Sequence, residues 1–284
     1  MTTFAQQRAK RQIEVLRSLG APVRRRRRNI PRPAPVIAQE IALRDLARAP
    51  LQAFQAELED LLDSLPQVLA YEAERRRVDA AWSYADFLVK LQQILTRTTG
   101  AYGTDRLRAR GAQIGADVAA KSRATLANQV SSALGVTLVS NDKGMQALID
   151  QFALDNARKI QGITQTYAAQ IADRVGEAVR TGTRHEDLRT ELVERFGVAA
   201  SRANTIARTQ ISSLYGQTNA QQQKNAGITR FIWRTSHDER VRPEHQALDK
   251  EIFEYSAPPA VGIPGEDYNC RCYAEPVLDD LLAP

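Results

Sequence analysis

The chain has 284 residues, 43% of them hydrophobic and 25% charged. That is an ordinary mix for a folded soluble protein, and enough length for two modest domains or one with an extended arm. Two cysteines one residue apart, Cys270 and Cys272, exclude a disulfide framework and fit a cytoplasmic place of synthesis. No apolar run is long enough for a transmembrane helix and the first twenty residues lack a signal core, so no membrane partner is expected. The net charge of +6 is uneven: residues 1–33 hold ten bases against one acid, and the remainder 29 bases against 32 acids. A basic arm on a slightly acidic body points to a polyanion or an acidic protein surface as partner.

Residues 1–19 read as a short helix. Residues 20–36 hold the run Arg24, Arg25, Arg26, Arg27, Arg28 and then Pro31, Pro33 and Pro35. Like charges repel and prolines remove helix donors, so this stretch reads as an extended, mobile linker that orders against a partner. A helical period runs from about 37 to 98. Leu51, Phe54, Leu58, Leu61, Leu62 and Leu65 share one face, Pro66 marks a break or kink, and Tyr84, Phe87, Leu88, Leu91 and Leu95 form a second stripe ended by Gly100 and Gly103. Residues 107–134 are alanine-rich and a weaker helix signal, and Asn141 to Gly144 reads as a turn.

The next helix spans about 145–180, with Phe152, Ile160, Ile163, Tyr167, Ile171 and Val175 on its apolar face. Thr183 and Glu186 suggest a capping box for a helix that stops at Gly197, and Ser201 then caps another that ends near Gly227. Beyond it the texture changes. Residues 228–235 are β-branched and aromatic, as are 251–255, and 270–277 make a third strand; a short helix starts at Pro243. The expected fold is mainly α with a C-terminal α+β domain: long helices, then a small antiparallel sheet. The expected division is a basic arm over 1–36, a helical region over 37–144 and the α+β domain with its leading helices over 145–284.

The C-terminal blocks carry a resemblance. They run Ala207-Arg208-Thr209, Asn219, Gly227-Ile228, Trp233, then His237-Asp238-Glu239-Arg240-Val241-Arg242-Pro243-Glu244-His245 and Leu248-Asp249. Pro258-Pro259 and Pro264 through Asn269-Cys270-Arg271-Cys272 complete the series. Several blocks in this order, over roughly 145–278, are similar to the C-terminal domain of head morphogenesis proteins of the phage Mu protein F type. The resemblance implies a minor capsid protein of a tailed bacteriophage, found in the virion near the portal vertex and in the host cytoplasm during assembly. Its implied partners are the portal protein and the major capsid or scaffolding protein; the arginine arm, read from its charge alone, is a contact for packaged DNA, a contact for the acidic surface of a portal or capsid subunit, or a solvated tail. The same domain also occurs fused to toxin modules, and this chain is expected to carry none. Three positions depart from the cysteine-rich form of the pattern: Arg242 stands where some members have cysteine, Asp267 near a frequent histidine, and Lys250 where glycine is usual after Asp249.

Two readings of the cysteine pair stand side by side. In the cysteine-rich members the ligand set suggests a structural zinc knot; here the candidate donors are His245, Cys270 and Cys272, with His237, Asp238 or Asp267 as a fourth. The other reading makes both thiols small buried hydrophobes, with Arg242 paired to an acid such as Asp267 and the loop held by Asp238, Arg240 and backbone groups. Trp233, Asp249, Asn269 and Arg271 belong to the same structural motif. An acid–base pair can be drawn from His237 and His245 with the acids around them, but no nucleophile, phosphate loop or HExxH accompanies them, so no catalytic residue is assigned. Arg24 to Arg28 are candidate polyanion ligands without interleaved aromatics. The resulting expectation is a non-enzymatic head protein acting in assembly and DNA packaging. The alternatives are a DNA-binding or nuclease-like accessory protein packaged or ejected with the genome, and an injected effector.

Overall fold

The computed structural model describes residues 30–73, 83–138 and 142–282, together with Gln7, Arg11 and Glu14. Those three are helical and exposed; the rest of the helix expected over 1–19, and the run Arg24 to Arg28, lie outside the described residues. The elements in order are α1 (Ile37–Leu62), α2 (Leu65–Ala73), α3 (Tyr84–Ala101), α4 (Thr104–Leu134), α5 (Met145–Thr181), α6 (His185–Ala226), β1 (Arg230–Arg234), α7 (Pro243–Ala247), β2 (Ile252–Glu254), β3 (Tyr273–Pro276) and α8 (Asp279–Leu282). The protein is therefore mainly helical with a small C-terminal antiparallel sheet, as its periodicity implied.

The chain divides into two compact units, one of residues 42–111 and 153–207, the other of residues 1–41, 112–152 and 208–284. In the first, the leucine stripe of α1 is buried throughout, from Leu51 and Phe54 to Leu65 at the start of α2. The break falls at residues 63–64, and Pro66 takes the second position of α2, where a missing N–H costs no helical bond. Pro50 lies inside α1 without ending it, removing the one bond its nitrogen would have made to the carbonyl of Leu46. Tyr167 is the hub: its ring meets Phe54 and Phe196 edge-on at centroid distances of 5.8 and 6.1 Å, and its hydroxyl donates to Gln55 Oε1 at 2.6 Å. The stripe of α3 is carried by Phe87, Leu91, Ile94 and Thr98, capped by the reciprocal Ser83–Asp86 box. Arg174 and Glu191 tie α5 to α6 through a two-pronged ion pair.

The alanine-rich stretch is one uninterrupted 31-residue helix, stronger than its composition suggested. α6 corrects the sequence reading more plainly. It runs 42 residues as a single helix, through Gly197 and Ser201, where a stop and a new cap were expected. A glycine inside a helix costs only about 1 kcal/mol relative to alanine, which tertiary packing overrides. Thr183 instead lies against Thr181, their hydroxyls 2.8 Å apart.

In the second unit, Leu126, Val130, Leu134, Val136 and Leu138 of α4 and its exit pack with Ala226, Ile228, Leu278 and Leu281. Residues 30–36 form neither helix nor strand, but they are not left to a partner. Ile30 packs on this cluster, Gln129 Nε2 donates to the Pro31 carbonyl at 3.0 Å, and Lys121 Nζ donates to the Pro35 carbonyl. The sheet has the order β2-β1-β3, with Phe231 opposite Phe253 and Trp233 opposite Ala274. Alternation puts Phe231 and Trp233 on the buried face, with Cys270, Cys272 and Ala274. On the other face Arg234 grips Glu275 at 2.8 and 3.1 Å.

The C-terminal loops approach α6 where it lacks a side chain. A Cβ on Gly216 would overlap the Pro264 carbonyl oxygen, and one on Gly265, whose φ is +99°, would sit 2.8 Å from the Ser212 carbonyl oxygen. Gly197 faces open space. Gly216→Ala is expected to destabilise the protein by about 1–3 kcal/mol through overpacking. Gly197→Ala should stabilise it by up to about 1 kcal/mol by helix propensity. Urea unfolding of both variants beside the parent checks the opposite signs.

Candidate functional site

The chemistry-bearing residues of the C-terminal end are gathered by the last turns of α6. Asn219 Nδ2 and Gln223 Nε2 both donate to the Ala274 carbonyl oxygen, at 3.1 and 3.0 Å, and so hold the start of β3. Thr209, from the Ala207-Arg208-Thr209 block, accepts the Asn269 backbone N–H at 3.2 Å. The segment 269–272 therefore lies along one helix face. Asn269 has φ +55°, the Cys270 N–H bonds to the Asp267 carbonyl, and the Cys272 N–H points to Cys270 Sγ at 3.4 Å. These are turn contacts, so the third strand begins at Tyr273 and both cysteines precede it, a correction to the strand expected from residue 270.

α7 presents His245 to the two thiols. Its side chain is 3% exposed, and Nδ1 lies 3.6 Å from Cys270 Sγ and 3.6 Å from Cys272 Sγ. The ring meets Trp233 edge-on at 5.4 Å. On the far side Nε2 is 3.3 Å from Asp267 Oδ2 but off the hydrogen-bond direction, so this buried nitrogen has no bonded partner. Asp267 is held by Arg242, which also donates to the Tyr268 carbonyl at 2.8 Å. The thiols differ. A hydrogen bond from Cys272 lowers the Cys270 thiol below its usual range against the effect of burial, while Cys272 is pushed up by that same interaction and by burial.

The other motif residues form a neighbouring clasp. Asp238 accepts the Arg240 N–H at 3.0 Å and pairs with Arg271 at 3.0 and 3.1 Å, which fixes the loop before α7. Asp249, 7% exposed at its side chain, accepts the N–H and the hydroxyl of Thr235 at 2.9 and 3.2 Å. Burial raises its pKa, but the Thr235 bonds and the charges of His237 and Lys250 outweigh it, so the carboxyl is held below its usual range. His237, at φ +57°, faces Thr235 and lies 4.0 Å from Asp249, while His245 faces the thiols. The two histidines thus serve different partners. Lys250 has φ +72°, a backbone state that favours the glycine usual at this place in the resembling family.

Among the described residues His245, Cys270 and Cys272 form a cluster whose donor atoms all lie within 4.8 Å of one another, and no other His, Cys, Asp or Glu joins it. Two sulfurs and an imidazole nitrogen, buried together, suit a borderline-soft divalent ion such as zinc. Gln223, Gly216 and Thr235 are positioning residues that sequence reading missed. The amide-rich run of residues 219–225 looks like a solvated face, and only its place on a buried helix shows otherwise.

Residues 169–275 match the family described as Phage Mu protein F like protein. The chain carries a phage Mu protein F-like region. The matched span takes in α6, the sheet and the cysteine turn. An uncharacterized protein of Haemophilus influenzae is 31% identical over 165 residues, covering 57% of this chain and 37% of its own length. An uncharacterized protein of Methanocaldococcus jannaschii is 32% identical over 118 residues, covering 41% of this chain and 18% of its own. The chain thus spans little more than a third of the first relative and under a fifth of the second. No solved structure matches it significantly. No helix among the described residues is long and apolar enough to cross a membrane.

Asp249 supplies a test of the Mu F-like clasp. Asp249→Ala leaves the buried Thr235 N–H without its acceptor and is expected to cost about 2 kcal/mol at neutral pH. A depressed carboxylate contributes stability above its unfolded pKa and loses that contribution as pH falls through its folded pKa. The penalty of the substitution should therefore shrink in acid. Urea unfolding at neutral pH and below the normal carboxylate range measures both; an equal penalty at the two pH values would contradict the assignment.

Proposed function

We propose that this chain is a minor capsid protein of a tailed bacteriophage, docking at the portal vertex during head assembly and DNA packaging. The observation that carries the reading is the Mu F-like match over residues 169–275. In this reading the C-terminal end is a stiff docking module, built from ion pairs and buried amides. The partners are the portal protein and, beside it, major capsid or scaffolding protein. The protein resides in the virion near the portal and in the host cytoplasm during assembly. The role is structural: the side chains of the motif hold one another, as in the Arg242–Asp267 and Asp238–Arg271 pairs.

The net charge of +9 over residues 1–33 favours a second contact, with packaged DNA or an acidic protein surface. It also supports the competing reading, a DNA-binding accessory protein carried with the genome.

Co-expression with a portal protein of the same phage, followed by size-exclusion chromatography and mass photometry, tests the proposal. The expected result is a complex of defined stoichiometry. If replacing Arg24 to Arg28 by alanine abolishes a salt-sensitive part of the binding, the arm contributes. Absence of any complex at low and high salt, with salt-dependent DNA binding by the same protein, would overturn portal docking and favour the accessory reading.

A further inference from the structure

His245 Nδ1 stands at the same distance, 3.6 Å, from both sulfurs. A ring nitrogen has one lone pair or one hydrogen, so it cannot make a well-directed hydrogen bond to each. An ion shared by all three explains the symmetry. With zinc–nitrogen bonds of about 2.05 Å, zinc–sulfur bonds of about 2.3 Å and tetrahedral angles, the nitrogen and each sulfur fall about 3.6 Å apart. Both nitrogen–sulfur distances are those of a metal site, and the three donor atoms all lie within 4.8 Å of one another.

We propose that His245, Cys270 and Cys272 form a three-donor centre for a zinc-class divalent ion, that Asp267 orients His245 within it, and that the fourth coordination position is filled from outside the chain. Asp267 is the natural candidate for a fourth ligand, but its place forbids it. It lies at Nε2, and the two ring nitrogens of an imidazole point in divergent directions. With the ion on Nδ1, Nε2 carries the hydrogen, and a carboxylate beside it fixes the tautomer and the ring plane. Arg242 keeps that carboxylate in place. The orphaned Nε2, buried with an acceptor 3.3 Å away, is the group this arrangement would satisfy with a small turn of the ring.

No fourth His, Cys, Asp or Glu joins the trio among the described residues. The three donors instead line a small cleft of about 90 Å³ together with Ser236, Arg240 and Asn269. Structural zinc sites close with four protein ligands, whereas a site with three keeps a position for water or a small anion. The cleft provides that position. This centre is independent of the portal reading and stands or falls separately.

Cobalt(II) chloride is the probe, titrated into the full chain purified reduced and free of metal, with absorption spectra as the readout. One equivalent should give an intense thiolate-to-cobalt charge-transfer band and tetrahedral d–d bands, both erased by zinc chloride. Cys270→Ser, Cys272→Ser and His245→Ala should each lose or alter these bands, with far-UV circular dichroism reporting whether each variant folds. Asp267→Asn should keep the spectrum and weaken cobalt affinity by about 10- to 100-fold. Sodium azide should shift the d–d bands by entering the fourth position. Absence of a charge-transfer band in the parent protein would overturn the site, and that titration decides even if the variants unfold. Bands indifferent to azide would overturn the open position, and an unchanged affinity in Asp267→Asn would overturn the role of Asp267.

Discussion

Two side-chain amides on one helix, Asn219 and Gln223, converge on one carbonyl oxygen, that of Ala274. The sheet and the cysteine turn depend on this contact. A three-stranded sheet with strands of three to five residues is too small to stand alone, and its stability comes from the surface it lies on. α6 supplies that surface without a wide apolar stripe. It offers buried amides that satisfy strand carbonyls, a glycine that lets residues 264–265 come close, and a threonine that receives the Asn269 N–H. Each hydrogen bond contributes only about 1 kcal/mol net, but leaving the Ala274 carbonyl buried and unpaired would cost more.

The remaining order of the site follows from that seating. With Ala274 fixed, Trp233 faces it across the ladder and Cys272 enters the same buried cluster. The turn at Asn269 and Cys270 then brings both sulfurs to His245 on α7. The Arg242–Asp267 pair closes the arrangement from outside and the Asp238–Arg271 pair stiffens the loop before α7. A Mu F-like region built this way is a rigid block whose polar residues mostly hold one another. That character fits the docking role proposed above, in which a preformed surface meets its partner without first having to order itself.

The parts of the sequence that proved legible share a physical reason. The leucine stripe of α1 and the apolar face of α5 repeat at the helical period over many turns, and such patterns survive tertiary context. The strands announced themselves by β-branched and aromatic residues, and Lys250, flagged because glycine is usual there, does occupy a left-handed backbone state. The misread part was α6. Gly197 and Ser201 look like punctuation, yet local propensity near 1 kcal/mol is easily overridden when Leu188 and Leu192 before them and Ile211 and Leu214 after them are all buried. The buried amides were illegible for a different reason. Nothing in the run of residues 219–225 distinguishes a polar face turned to water from one turned to a strand's carbonyls, because the pairing spans more than fifty residues. The cysteine pair was visible as a candidate, but its place in a turn before β3 was not, since turn bonds rather than ladder bonds hold it.

Native-state hydrogen exchange reads whether α6 and the C-terminal sheet form one cooperative unit joined at Ala274. Amides in residues 230–234 and 273–275 are expected to open with the same free energy as those in residues 211–223. Asn219→Ala is expected to lower both sets together. Strand amides that exchange through a much cheaper opening than the helix, and that ignore the substitution, would contradict the single unit.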